Sequence, residues 1–239
     1  MAKFRKVIEK EAQDKFYDLC TEGKIQEVKD AINSGSIDVN YVYEYGTTAL
    51  MGAARSGTPE VISALLEAGA DINAREQDGN TALAWAASSN TAEVVSLLLD
   101  AGANVNASRD DGITVLMGAA KKNAPEVVRI LLDAGANVNS KDTNKMTALL
   151  YAAMNNPHPE VVNAIIDAGA DDVTDNNGMT ALLLAATWNT PEVVSALIEA
   201  GADIRARDKF HMTAFDHAAQ NDKLKGSAVL ARLAGQKEG

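Results

Sequence analysis

The sequence predicts a mainly α-helical solenoid of about seven stacked repeats, each an α-α hairpin followed by a β-hairpin-like finger. Three observations predict it. Thr-Ala-Leu or a near copy recurs at Thr48, Thr81, Thr114, Thr147, Thr180 and Thr213, a spacing of 33 residues. A fixed period of that length marks a stack whose units cannot bury their apolar faces alone. Within each period two short segments carry apolar residues at helical spacing. Glycines close the second of these at Gly69, Gly102, Gly135, Gly169 and Gly201.

Thr81 to Ile113 shows what one unit builds. Thr81 caps a short helix whose apolar stripe is Leu83, Ala86 and Ala87, small residues that let a neighbour approach closely. After Ser88-Ser89-Asn90-Thr91, a second helix runs from Ala92 through Val94, Val95, Leu97, Leu98 and Leu99. Gly102 stops it, because glycine takes the left-handed C′ conformation without a Cβ penalty. Pro59, Pro125 and Pro191 open the second helix in three units, where a missing N–H costs nothing. Glu60, Glu93, Glu126, Glu160 and Glu192 follow at the positive end of the helix dipole. Asn104, Asn106 and Asp111-Gly112 then signal a tight, projecting turn.

The ends depart from this pattern as caps should. Residues 12–46 lack the Thr-Ala-Leu opening but keep Phe16, Leu19, Val28, Ala31 and Ile32 as an inward stripe. At the other end Gly226 to Leu233 stands where a second helix belongs, with Lys223, Lys225 and Arg232 exposing charge. Polar terminal repeats keep an open stack soluble. The reading is a leader at 1–11, an N-terminal cap at 12–46, five internal repeats at 47–212 and a C-terminal cap at 213–239, all one structural domain. The fifth unit is irregular: Met154-Asn155-Asn156-Pro157-His158-Pro159 lengthens the loop by one residue, and the finger Asp171 to Gly178 is one residue short, so Thr180 returns to register.

Taken together, Thr-Ala-Leu-x-x-Ala-Ala, Pro-Glu-Val-Val-x-x-Leu-Leu-x-Ala-Gly-Ala-Asp/Asn-Val-Asn and a finger ending in Gly-x-Thr resemble the ankyrin repeat, over residues 12–235. The Pro-Glu-Val-Val form is similar to many bacterial members. The resemblance implies an L-shaped stack of helix pairs whose fingers and inner helices line a concave groove that usually binds other proteins.

Composition narrows the function. A formal net charge of −11 opposes phosphate backbones as partners, since nucleic-acid affinity depends on Lys and Arg. Cys20 is the single cysteine, so neither an intramolecular disulfide nor a thiolate metal site can form, which fits a reducing compartment. The opening Met1-Ala2-Lys3-Phe4-Arg5-Lys6 is charged without the apolar run of a secretory signal, and the chain has no long apolar stretch. The expectation is a cytoplasmic monomer with no membrane and no nucleic-acid partner.

No catalytic residue, cofactor or metal site is expected. His158, His211 and His217 form no ligand spacing, and His217 reads as a lone surface histidine. Asp172, Asp175, Asn176 and Asn177 before Gly178 miss the calcium-loop spacing and read as turn formers.

Binding is expected on the inner helices and fingers. With Leu83 at zero degrees, Trp85 falls near 200 degrees on the helical wheel, away from the core stripe. Tyr151 and Leu184 occupy the same repeat position, with Met154 and Trp188 beside it, while Gly52 and Gly118 leave notches there. Tyr41, Tyr43 and Tyr45 crowd the first finger, where aromatic hot spots would serve a protein interface. Arg55, Ser89, Lys121 and Lys122 complete the set at the inner-helix ends. The expected function is non-enzymatic binding of a partner protein, as adaptor, inhibitor or regulator. The alternatives are a small-molecule site at the Gly118 notch and an exported effector acting on host proteins.

Overall fold

The computed structural model describes residues 2–56, 58–89, 92–122 and 125–235, with side chains from residue 10 onwards. Its contacts gather into two compact units, Met1–Asp110 and Asp111–Gly239. In the first, inner helices α1 (Ala2–Thr21), α3 (Ala49–Ser56) and α5 (Ala82–Ser89) stack on one another. Outer helices α2 (Ile25–Asn33), α4 (Pro59–Glu67) and α6 (Ala92–Asp100) back them, and a 3-10 turn at Glu44–Gly46 forms the first fingertip. In the second unit the inner row is α7 (Val115–Lys122), α9 (Ala148–Asn155), α11 (Ala181–Trp188) and α13 (Ala214–Ala218). Its outer row is α8 (Pro125–Asp133), α10 (Pro159–Asp167), α12 (Pro191–Glu199) and α14 (Ala228–Ala234). The pairs number seven among the described residues, the figure expected from the sequence. The segment expected as a leader is helical, since α1 starts at Ala2.

Each recurring threonine acts at an inner-helix start. Thr48, Thr81, Thr114, Thr147, Thr180 and Thr213 each accept, at 3.3 Å on Oγ1, the N–H of the residue three further on. Removing one such cap costs about 1 kcal/mol. The alanine pairs Ala53-Ala54, Ala86-Ala87, Ala119-Ala120, Ala152-Ala153 and Ala185-Ala186 are fully buried, so inner helices meet almost backbone to backbone. Gly69, Gly102, Gly135, Gly169 and Gly201 all take positive φ behind the outer helices. Pro159 opens α10, adding a fourth proline to the three expected at outer-helix starts.

Successive repeats are then joined by side-chain amides to which the sequence pattern assigns no such role. In the second unit Asn156 donates from Nδ2 to the Ala120 carbonyl at 3.0 Å. Asn189 donates to the carbonyls of Ala153 and Asn156, both at 2.9 Å. Asn221 donates to Ala186 at 3.2 Å and Asn189 at 2.9 Å. All three asparagines are buried. They cross-link the inter-helix loops at the C-termini of the inner helices, where carbonyls lack helical partners. A second set lies at the base of the fingers. Asn40 donates to the Gly69 carbonyl at 3.0 Å and accepts from the Asp71 N–H at 2.7 Å. Asn139 repeats both bonds with Gly169 and Asp171.

The fingers are turns rather than hairpins: the isolated bridge described in them is Arg207–Thr213. Backbone bonds close the tips in pairs, such as Glu76 N–H to the Asn80 carbonyl at 3.0 Å with Gly79 N–H to that of Glu76 at 2.9 Å, or Asp142 N–H to that of Met146 with Lys145 N–H to that of Asp142, both at 3.0 Å. One further bond ties each tip to the next: Gln77 N–H to Tyr45 and Asp110 N–H to Asp78 in the first unit, Thr143 N–H to Asp111, Asn176 N–H to Asn144 and Lys209 N–H to Asn177 in the second. The tip requires a left-handed residue. At Gly112 a Cβ would stand 3.0 Å from the Asp142 Cα. Lys145 and His211 fill this same position with φ of 63, a conformation that strains an L side chain.

Two fingers are fastened to their own inner helix through an aspartate. Asp142 accepts the N–H groups of Asn144 and Met146 on Oδ1 and the Tyr151 hydroxyl on Oδ2, all at 2.8 Å. Asp208 accepts from the N–H groups of Phe210 and Met212 on Oδ1, and His217 donates from Nε2 to Oδ2 at 3.0 Å. His217 is therefore not a lone surface histidine: its side chain is 12% exposed and paired with a carboxylate 3% exposed. Burial pushes the Asp208 carboxyl up. The Met212 N–H, His217 and the Phe210 N–H outweigh it and hold the group below the ordinary aspartate range.

The fifth repeat absorbs its irregularity without losing register. Asn156 keeps its place in the ladder, and the extra residue is taken up by exposed Pro157 and His158 just before α10.

Three outcomes follow in urea or thermal unfolding. Asn189→Ala leaves the buried Ala153 and Asn156 carbonyls without this donor and lowers stability by about 2 kcal/mol. Lys145→Gly raises it by about 0.5–1 kcal/mol, the left-handed strain removed less the entropy that glycine adds to the unfolded chain. Asp208→Asn costs roughly 1–2 kcal/mol at pH 7. Because the folded carboxyl is depressed, its contribution is present above the unfolded value and is lost as pH falls through the folded one. The gap between wild type and Asp208→Asn therefore shrinks below about pH 4.

Candidate interaction face

The inner helices and fingers of each unit present one face, and the expected binding residues are distributed on it unequally. In the first unit Tyr41 and Tyr43 are half-buried and Tyr45 is 75% exposed. Arg55 and Ser89 are exposed, while Trp85 is half-buried. In the second unit Lys121 and Lys122 are exposed, and Tyr151 and Met154 are half-buried. Trp188 is 56% exposed, whereas Leu184 is 5% exposed and serves packing more than surface.

The structure pairs several of these residues within each unit. The Arg55 guanidinium lies 5.1 Å from the centre of the Trp85 ring, and the Lys121 ammonium 5.8 Å from that of Tyr151. A cation at this range is attracted by the ring quadrupole and holds the ring in place. Lys223 donates from Nζ to the Trp188 carbonyl at 2.8 Å, beside the exposed indole. Tyr43 stacks at 4.7 Å on Tyr17 and meets Tyr41 edge-on at 4.9 Å. Its hydroxyl donates to the Gln13 carbonyl at 2.8 Å, and burial pushes that phenol up, with Cys20, Asp14, Tyr41 and Tyr17 adding smaller contributions.

The notch expected at Gly52 is absent. A Cβ there would stand 2.8 Å from Thr21 Cγ2 and 3.1 Å from the Tyr17 ring, so the missing side chain is the space into which α1 packs.

Three contributors escaped the sequence reading. Tyr17 faces the first finger from α1, hidden by the absence of a repeat opening there. Val42 is 62% exposed on the same finger. Phe210, 78% exposed, tips the last finger, and the replacement of Asx-Gly by Lys209-Phe210-His211 was the available signal.

Among the described residues no group of three or more His, Cys, Asp or Glu side chains is placed to hold a metal ion. Cys20 is fully buried, and burial pushes its thiol up to about 12, which keeps it from forming the nucleophilic thiolate. Burial, and then the charge of Asp203, raises the Asp172 carboxyl. No described helix is long and apolar enough to cross a membrane.

Comparison with known proteins agrees with this geometry. A family model described as ankyrin repeats (3 copies) matches residues 17–109, 70–142, 105–174 and 149–237. Among solved structures, the human ASB11 ankyrin repeat domain is similar to this chain at 26% identity and a TM-score of 0.80, over 92% of this chain and 96% of that one. A search of curated proteins returns no match. With overlapping family matches from residue 17 to residue 237, on helix pairs, left-handed glycine stops and projecting fingers that recur in register, the chain belongs to the ankyrin-repeat family.

Proposed function

We propose that this chain is a non-enzymatic module that binds a partner protein through the face made by its inner helices and fingers, acting as adaptor, inhibitor or regulator. Ankyrin repeats are general protein–protein interaction modules, and their fold is not an enzymatic one. One observation carries the assignment to this face. Among the described residues the exposed large hydrophobics are Val42, Tyr45, Trp188 and Phe210, and every one lies on a finger or an inner helix. The outer helices expose none. Apolar side chains held in water on one face are what an interface uses when a partner covers them.

The rings sit on a pre-arranged surface. Trp85 and Tyr151 are held by their cations, and the fingertips by the bonds between them, so little side-chain freedom remains to be lost on binding. A net charge of −11 and a single buried cysteine support a reducing, cytoplasmic setting and a partner other than nucleic acid.

The test is recovery of a partner from native cell extract by immobilised wild type and by a Tyr45→Ala, Trp188→Ala, Phe210→Ala variant. All three side chains are exposed, so the variant keeps its fold by circular dichroism. Loss of these exposed aromatic anchors lowers recovery at least tenfold, whereas Arg129→Ala on α8 leaves it unchanged. Equal recovery by wild type and the triple variant, or loss with Arg129→Ala, removes the assignment to this face.

A further inference from the structure

The first finger and the facing side of α1 line an open cleft of about 680 Å³. Its walls include four tyrosines, Tyr17, Tyr41, Tyr43 and Tyr45, a large share of the five in the chain. Three carboxylates line it as well, those of Asp14, Asp18 and Glu44, against one cation, Lys10. Among the described residues none of these carboxylates is engaged in an ion pair or a hydrogen bond.

The rest of the face shows what such rings attract. Trp85 carries Arg55 and Tyr151 carries Lys121, each cation supplied by the end of the preceding inner helix. The tyrosine cleft lies at the start of the described stack, where α1 ends in Asp18, Leu19, Cys20 and Thr21 and offers no such cation. Among the described residues no Lys or Arg lies over any of its four rings. The cleft thus combines ring faces of negative potential with unpaired carboxylates, the complement of a positive group.

We propose that this cleft receives an arginine side chain from the partner protein, in the role that Arg55 takes on Trp85 and Lys121 on Tyr151. A guanidinium fits better than an ammonium, because it stacks flat on a phenol ring while its fork donates to a carboxylate. Tyr45, held at φ of 61 in the left-handed region, lines the cleft together with Glu44. The assignment rests on the reading that this face binds a protein, and it adds the chemistry of one contact.

The experiment uses the full chain labelled with nitrogen-15 and titrated with N-acetyl-Gly-Arg-Gly-amide, followed by amide chemical shifts. Saturable shifts confined to residues 14–21 and 41–47 are expected, with none from the uncharged isostere in which citrulline replaces arginine. Tyr45→Ala weakens binding about two- to five-fold, the loss of one exposed cation–π contact. Asp18→Asn with Glu44→Gln, both at exposed positions, weakens it further and leaves the spectrum of the second unit unchanged. Equal shifts from the citrulline peptide, or shifts spread over carboxylates throughout the chain, overturn the proposal. If the tripeptide fails while the triple alanine variant still loses its partner, the arginine assignment falls and the protein-binding face stands.

Discussion

The amide side chains of the buried asparagines are the interaction on which the rest depends. An inner helix of about two turns leaves as many carbonyls unpaired at its end as it satisfies internally. Alone, such a helix is marginal. Asn156, Asn189 and Asn221 remove the deficit by carrying one repeat's donors to the previous repeat's acceptors. The alanine pairs can then bring the inner helices close enough for those bonds to form. Backbone completion, close packing and register are thus one constraint rather than three, and it acts between neighbours along the chain. Repeat stability of this kind is a sum of unit and interface contributions.

Much of this was legible in the sequence because its causes are local. Threonine at an N-cap, proline at a first helical position and glycine in a left-handed stop each act within one turn, and each was placed at its observed role. The inter-repeat asparagines were less legible. An asparagine in a turn-rich segment is compatible with bonding its own loop, and nothing in a single repeat says that Asn40 reaches Gly69. Spacing alone also misread Gly52, since an absent side chain looks the same whether it leaves a notch or admits a neighbour. His217 shows a related limit: its partner Asp208 lies nine residues away, across a turn whose geometry depends on a left-handed His211.

The face that results is stiff where it is polar and open where it is apolar. Asp142 and Asp208 fasten fingers to helices, and cations sit on Trp85 and Tyr151. Tyr45, Trp188 and Phe210 stand in water with no such cover. Their exposure is tolerable because the core needs none of them: the small inner-helix residues and the outer-helix Val, Leu and Ile side chains already close it. Side chains free of any packing duty can differ from repeat to repeat, and this separation lets a uniform scaffold carry an individual surface.

The extra residue at Pro157 and His158 bears on engineering. This loop is one residue longer than those of the other internal repeats, and the asparagine beside it makes its bond all the same. It lies at the start of an outer helix, with both residues exposed. It is accordingly a natural port for grafting an epitope, a fluorophore or a protease site, at which a guest sequence can be carried without breaking the asparagine bonds that join the repeats.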